Sequence, residues 1–224
     1  MTLDDGSQRG RFWLADVLWQ IGAIQFGDFS LGRTARHSPV HVNPKLIIAR
    51  PEALARVAAL LDEELRMAMA RRKNQVAPFD LVAGVPIGGL HVATALALQA
   101  QTPLLYVRPG ASEDGEDRPH IEGIYRPGQT AIVVDDLATG GGSLVDTADK
   151  LRRAGIFVRD AIVLIDREQG AQRRLESIGV HMHAMVTMEM LLTYLHSTGK
   201  LNDEDYRRAM HYIEREGEAR SEFD

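Results

Sequence analysis

The sequence predicts an α/β fold, an open and mainly parallel sheet flanked by helices, and three observations support it. Short runs that are apolar throughout recur after residue 80, which is typical of strands buried on both faces of a parallel sheet. Segments long enough to form helices lie between these runs, as crossovers between parallel strands require. The chain has 224 residues, of which 45% are hydrophobic and 25% charged, so it can build one domain with its own core.

The first part of the chain is predicted to be helical. Apolar residues recur at helical spacing from Phe12 to Ile21, which predicts an amphipathic helix. Pro51 favours the first turn of a second helix that extends to Ala70. We therefore expect a flexible N-terminus (1–11), one domain (12–198) made of N-terminal helices with a hood (12–78) and an α/β core (79–198), and a C-terminal helix with an acidic tail (199–224).

The core is predicted to alternate strands and helices. Apolar runs predict strands at residues 81–83, 104–107, 131–134, 161–165 and 181–186, with crossover helices at 90–99, 143–154 and 171–178. Thr187 is placed to cap the next helix, and a last helix begins after Asn202. Ligands of such sheets bind where strands end and helices begin.

Composition excludes several classes of function. The chain has no cysteine, which excludes thiolate metal sites, iron–sulfur clusters and cysteine nucleophiles. A net charge of −5 argues against a nucleic-acid partner. Since neither a secretion signal nor a long apolar run is found, we expect no membrane partner and a cytoplasmic location.

The most informative stretch follows the predicted strand at residues 131–134. Two adjacent acids end this strand, and a glycine-rich turn leads into a helix. Glycines let backbone N–H groups converge on an anion at the helix N-terminus, and Thr and Ser hydroxyls add donors. A carboxylate beside such a phosphate cradle suits ribose hydroxyls. The candidate ligand-binding residues are Asp135, Asp136, Leu137, Ala138, Thr139, Gly140, Gly141, Gly142 and Ser143.

Two common phosphate motifs do not fit this stretch. A P-loop needs Lys before Ser, but Gly142 precedes Ser143, and the dinucleotide motif needs a third glycine where Val145 stands. A glycine-rich turn with capping hydroxyls would account for the glycines but not for the acid pair. Alternation along the strand sends Asp135 and Asp136 to opposite sides, so we expect only one of them to face the ligand directly.

With the motifs around it, this stretch resembles the type I phosphoribosyltransferases. Their signature for phosphoribosyl pyrophosphate (PRPP) is an apolar strand, two acids and a Thr/Gly/Ser loop. Further matches, in order, are similar to the orotate phosphoribosyltransferases of that family and extend from about residue 14 to residue 195. They comprise residues 21–29, 38–39, 80–89, 104–108, 121–123 and 163–170.

The resemblance implies transfer of ribose 5-phosphate from PRPP to orotate, which gives orotidine 5'-monophosphate and pyrophosphate in UMP biosynthesis. It implies a homodimer, and Mg²⁺ as a cofactor bound mainly through PRPP rather than by protein ligands. It assigns a pyrophosphate loop to Gly84, Val85, Pro86 and Ile87, PRPP binding to residues 135–143 and Arg108, catalytic roles to Asp135, Asp136 and Arg108, and orotate binding to Thr139, Arg167 and Phe29.

Arg167 also has support from chemistry. A planar carboxylate is best recognised by the planar fork of an arginine, which lysine cannot reproduce. The alternative for Arg167 is a solvated side chain after a strand.

Two segments depart from the family pattern. The family's loop after Arg108 is rich in lysine and carries a histidine, whereas residues 108–120 contain four acids against two arginines. Pro109 and Ser112 occupy the lysine positions, and Asp114 occupies the histidine position. Residues 31–39 also lack the family's lysine, with Arg33 and Arg36 as substitutes, and Val40, His41 and Val42 replace aromatic residues.

These departures leave two alternatives open. The first is a catalytically weak or inactive PRPP-binding regulatory protein, since an acidic loop would repel the leaving pyrophosphate. The second is a phosphoribosyltransferase that acts on a different base.

Overall fold

The structure, a computed structural model, describes residues 5–31, 35–71, 75–109 and 120–221. Within these residues it contains a six-stranded sheet flanked by helices and a separate two-stranded hairpin. The predicted α/β fold class is confirmed. In the same residues, no helix has both the length and the apolar content needed to cross a membrane.

The six-stranded sheet positions the site. Its strand order is β5-β4-β3-β6-β7-β8, and only the β4–β5 pair is antiparallel. Because β4 and β6 flank β3 on opposite sides, the connections diverge there, and a crevice opens at the carboxyl ends of β3 and β6. The strands are β3 (Leu81–Gly84), β4 (Leu104–Val107), β5 (Ile121–Glu122), β6 (Thr130–Ala138), β7 (Phe157–Asp166) and β8 (His181–Thr187).

Two apolar cores cover the two faces of this sheet. Adjacent residues of β6 belong to different cores: Val133 packs with one cluster and Val134 with the other. The strand is apolar throughout because both of its faces are covered. The helices are α1 (Asp5–Gln20), α2 (Pro51–Ala70), α3 (Gly88–Ala100), α4 (Gly142–Arg153), α5 (Ala171–Glu176), α6 (Met188–Ser197) and α7 (Asp203–Ser221).

The first helix starts earlier than the apolar pattern predicts. It begins at Asp5 rather than at Phe12, although the added residues are mainly polar. Gly10 in this stretch is buried, and a Cβ there would come 2.7 Å from Leu60 of α2. Close packing of two helices at a glycine leaves no apolar signal in the sequence.

The hairpin was expected only as part of a hood, without strands. It consists of β1 (Ile24–Leu31) and β2 (Ala35–Val42), followed by a 3₁₀ helix (Pro44–Ala49). Register irregularities on both sides of Phe29 interrupt the pairing, so the alternation of period two that predicts strands is lost. Helix α7 packs against β2, which holds the hairpin near the sheet edge.

Candidate active site

The candidate site lies at the carboxyl ends of β3, β6 and β7. The pairing of Ala138 with Asp166 brings the end of β6 beside the end of β7, and the Arg167 N–H donates a hydrogen bond to the Ala138 carbonyl at 2.9 Å. Residues 84–87 leave β3 at the same edge and lead into α3. The structure therefore brings together the predicted pyrophosphate loop, the acid pair and Arg167.

The acid pair is buried. Asp135 is 8% exposed and Asp136 is 5% exposed. Burial, and then the charge of Asp136, raises the pKa of Asp135 well above its usual value. The Asp135 Oδ1 atom accepts a hydrogen bond from the Asp136 N–H at 2.8 Å. Two carboxylates with so little solvent repel each other, which is a feature of sites that bind hydroxyl groups or cations.

Both carboxylates lie beside the start of α3. A Cβ at Gly88 would overlap the Asp136 carboxylate, and one at Gly89 would come 2.8 Å from Asp135 Oδ1. The expected separation of the two acids to opposite sides is therefore smaller than alternation alone suggests, because Asp135 folds back onto its neighbour's N–H. The two glycines are what allow α3 to begin this close to β6.

The glycine-rich turn forms the start of α4. Gly141 has a φ of +72°, in the left-handed region that glycine adopts readily, and no side chain caps the helix. The first N–H groups of a helix lack partners within the helix. Gly142 and Ser143 are exposed, so these N–H groups can meet an anion. The geometry agrees with the predicted phosphate cradle.

Arg167 and the hairpin form the other half of the site. Arg167 is 4% exposed, so the alternative of a solvated arginine is wrong. Its Nη2 donates to Ser38 Oγ in β2 at 3.2 Å. Phe29 pairs with Ser38 across the hairpin, and its ring lies 5.5 Å from that of His41. A buried guanidinium beside aromatic rings suits a planar anion.

The surroundings of His41 favour its neutral form. Burial, followed by the charges of Arg167 and Lys45, lowers the pKa of this imidazole. Its Nδ1 atom is buried and makes no hydrogen bond within the described part of the chain. The position that the family fills with an aromatic ring thus carries a polar atom here.

Comparisons with known proteins agree with this geometry. Residues 48–180 match the phosphoribosyl transferase domain family. The orotate phosphoribosyltransferase of Cenarchaeum symbiosum is 38% identical over 179 residues, which cover 80% of this chain and 86% of that protein. The chain belongs to the orotate phosphoribosyltransferase family. The resemblance found in the sequence is therefore confirmed.

A longer protein is also among the relatives of this orotate phosphoribosyltransferase family member. The uridine 5'-monophosphate synthase of Bos taurus is 34% identical over 201 residues, which cover 90% of this chain but 40% of that protein. The chain thus spans less than half the length of that relative.

Two solved structures share the fold of this chain. UMP synthase of Leishmania donovani superposes with a TM-score of 0.79 at 27% identity, over 91% of this chain and 42% of that one. Orotate phosphoribosyltransferase from Aeropyrum pernix superposes with a TM-score of 0.66 at 32% identity, over 83% of this chain and 99% of that one.

Several predicted site residues of this phosphoribosyltransferase lie apart from the acid pair or cannot be placed. Arg108 is exposed at the end of β4, and its Nε lies 3.7 Å from Glu122 Oε1 of β5. The structure does not join it to the acid pair. Residues 110–119, with Ser112, Asp114 and Arg118, lie outside the described residues, as does Arg33; the Arg36 side chain is also not described.

The predicted pyrophosphate loop is held at its start and open at its end. The Val85 N–H donates to the Val134 carbonyl at 2.9 Å, which ties the loop to β6. Ile87 is 69% exposed, and its peptide bond to Pro86 is cis. Thr139 is half-buried at the end of β6, between the acid pair and the cradle.

Two cations near the site were missed by the sequence analysis. The Lys45 ammonium lies 3.4 Å from Asp136 Oδ2, and Arg174 of α5 donates to the Gly140 carbonyl at 3.3 Å. The Arg174 Nη1 atom also lies 3.5 Å from the place of a Cβ on Gly142. Neither residue belongs to a motif, and both reach the site only through packing of separate elements. The available signal was a basic last turn in α5, which is common on solvent-facing helices.

Proposed function

We propose that this phosphoribosyltransferase moves ribose 5-phosphate from PRPP to orotate, with orotidine 5'-monophosphate and pyrophosphate as products. The observation that carries the proposal is a phosphate cradle and acid pair on the sheet edge, opposite an arginine that a hairpin buries. One half suits a phosphorylated sugar and the other a planar carboxylate. The names of the orotate phosphoribosyltransferase relatives support the same substrates.

The sugar half of the proposed site uses the sheet edge. N–H groups at the start of α4 bind the 5-phosphate, and the Asp135 and Asp136 carboxylates accept hydrogen bonds from the ribose hydroxyls. The loop at residues 84–87 faces the diphosphate. These contacts fix the anomeric carbon relative to the base, and such positioning of two substrates makes a large contribution to the rate of a transfer reaction.

The base half of the proposed site uses Arg167 and Phe29. The guanidinium binds the orotate carboxylate, and the ring packs on the pyrimidine plane, with Thr139 between the two halves. A ring nitrogen of orotate then forms a bond to the anomeric carbon while the bond to pyrophosphate breaks, and the bonding pair leaves with pyrophosphate. The ring-nitrogen proton goes to solvent, so no protein nucleophile is needed.

Magnesium, a homodimer and a cytoplasmic location complete the proposal. Mg²⁺ is proposed to be bound mainly through PRPP: among the residues that the structure describes, no group of three or more His, Asp or Glu side chains is placed to hold a metal ion, which suits an ion that takes its ligands from the diphosphate and water. When bound there, Mg²⁺ would neutralise charge on the leaving group. Sedimentation of the protein at micromolar concentration tests the dimer.

One alternative rests on a specific observation, the acidic composition of residues 108–120. A regulatory protein that binds PRPP without turnover would keep the sugar half and lose the charge that stabilises pyrophosphate. An absorbance assay with orotate, PRPP and Mg²⁺ separates the two. Turnover supports the transferase. PRPP binding without turnover on orotate supports the regulatory protein, and turnover on another base supports a different acceptor.

Two substitutions test the division of the site. Arg167→Ala should weaken orotate binding by roughly 2 to 5 kcal/mol, because a buried charged contact is lost, and leave PRPP affinity within about twofold. Asp136→Asn should show the reverse pattern. The measurement is the KM of each substrate for both variants. An equal loss of both affinities in Arg167→Ala would contradict the role of Arg167.

A further inference from the structure

Lys45 reaches the acid pair from outside the sheet. It lies in the 3₁₀ helix that follows the hairpin, and its Nζ is 3.4 Å from Asp136 Oδ2. Its neighbours Pro44 and Ile47 are buried, which fixes the backbone on either side. The lysine side chain is 50% exposed, so its ammonium stays hydrated while it touches a buried carboxylate.

The Asp136 carboxylate is confined on two sides. Gly88 of α3 approaches it so closely that a Cβ would overlap it, and Lys45 lies on another side. Its Oδ2 atom is buried and accepts no hydrogen bond from the residues that the structure describes. A buried carboxylate oxygen that lacks a hydrogen bond costs free energy unless a ligand supplies a donor. The hydroxyls of a sugar are such donors.

Charge explains why a cation is needed at this place. Two adjacent buried carboxylates repel each other and also repel a sugar that carries phosphate groups. The Lys45 charge opposes both effects, and it lowers the pKa of Asp135 against the rise that burial causes. A single ammonium next to Asp136 thus offsets part of the negative charge of the pair.

We infer that Lys45 is a positioning residue for the sugar, which orients the Asp136 carboxylate so that Oδ2 accepts a hydrogen bond from a ribose hydroxyl of PRPP. This inference rests on the proposed function, since it takes PRPP as the ligand of the sugar half. Lys45 acts through Asp136 and needs no contact with the diphosphate.

Calorimetric titration without orotate tests the inference. The ligands are PRPP with Mg²⁺, ribose 5-phosphate and pyrophosphate. Lys45→Met should weaken PRPP and ribose 5-phosphate about tenfold, which equals about 1.4 kcal/mol, and leave pyrophosphate binding unchanged. Lys45→Arg should restore both sugar ligands to within about threefold of the wild type, because it returns a cation to the same place.

A matched control and a double variant make the result specific. Lys150→Met removes another lysine, one that pairs with Asp146 on α4 at 2.6 Å, and should bind all three ligands like the wild type. In a double-mutant cycle, Lys45→Met should add no loss to Asp136→Asn, because Lys45 acts through that carboxylate. Thermal midpoints of the variants confirm that each is folded.

Three results would overturn the inference. They are wild-type affinity in Lys45→Met, an equal loss of pyrophosphate binding, which indicates direct contact with the diphosphate, and an additive loss in the double variant. If the wild type binds PRPP but does not turn over orotate, the proposed reaction fails while this test stands. If the wild type does not bind PRPP, both fail.

Discussion

The carboxyl edge of the sheet and the β1–β2 hairpin meet at the site, and they hold their side chains by different means. At the edge, Asp135 and Asp136 extend a strand whose preceding residues are packed on both faces. In the hairpin, Phe29 and Ser38 face each other across an irregular register. The hairpin is joined to the sheet edge by the hydrogen bond that Arg167 donates to Ser38, and α7 packs against β2.

This difference distinguishes the sugar half of the proposed site from its base half. The sugar half comes from consecutive residues that a rigid sheet positions, so it tolerates little change. The base half comes from residues distant in sequence that meet only in the folded chain, so substitutions there alter the acceptor more readily than the fold. The replacement of the family's aromatic residues near His41, beside an intact acid pair, agrees with that view.

The largest predicted effect comes from a substitution at the carboxyl edge of the sheet, where α3 packs closely against β6. Gly89→Ala places a Cβ 2.7 Å from the Asp135 Cα atom, and a backbone atom cannot move away as a side chain can. We expect a loss of about 3 kcal/mol in the free energy of unfolding, as overpacking in a tight core gives, together with loss of PRPP binding. Denaturant unfolding measures the first effect and calorimetry the second.

Gly142→Ala is the matched control for Gly89→Ala. Among the residues that the structure describes, a Cβ at Gly142 would meet only the Arg174 Nη1 atom, at 3.5 Å, which is an ordinary contact. This variant should keep the wild-type stability and bind PRPP more weakly, because the methyl group lies at the cradle. If Gly89→Ala were as stable as Gly142→Ala, the close approach of α3 to β6 would not be a constraint.

The carboxyl edge of the sheet was also easier to predict from the sequence than the hairpin. Helix α2 has the predicted bounds, and the acid pair and cradle lie where the motif places them. The hairpin was missed because its irregular register removes the alternating pattern. Lys45 and Arg174 were missed for another reason: each reaches the site from a separate element, and a lysine in a 3₁₀ helix has no local signature of its partner.

The second largest effect is expected at the acid pair. Since the pKa of Asp135 is raised above the ordinary value of 3.8, its contribution to stability is full below that pH and is lost as pH rises through the folded-state pKa. Asp135→Asn retains an oxygen that can accept the Asp136 N–H and has no charge to bury. We expect it to be more stable than the wild type at pH 7 by about 1 kcal/mol, a gain typical of relieving a functional site, and to bind PRPP poorly.

The measurement for Asp135→Asn is the free energy of unfolding at pH 7 and at pH 4. The advantage of the variant should shrink at the lower pH, where the wild-type carboxyl is protonated. The raised pKa values of Asp166 and Glu168 are common to both proteins. The difference in the free energy of unfolding between variant and wild type therefore reports on Asp135. An advantage that stays the same at both pH values would show that the charge is not its cause.

The smallest predicted effect lies in the hairpin. Its pH dependence is opposite to that of Asp135. Because the pKa of His41 is lowered from 6.5, the unfolded chain takes up a proton before the folded one. Stability is therefore full above about pH 6.5 and is lost as pH falls through the folded-state pKa. His41→Asn keeps a polar side chain that does not titrate, so its thermal midpoint should fall about one or two degrees less than that of the wild type between pH 8 and pH 5.5. An equal decrease of the thermal midpoint in the variant and the wild type would contradict this prediction. It would mean that the protonation of His41 does not contribute to the loss of stability at low pH.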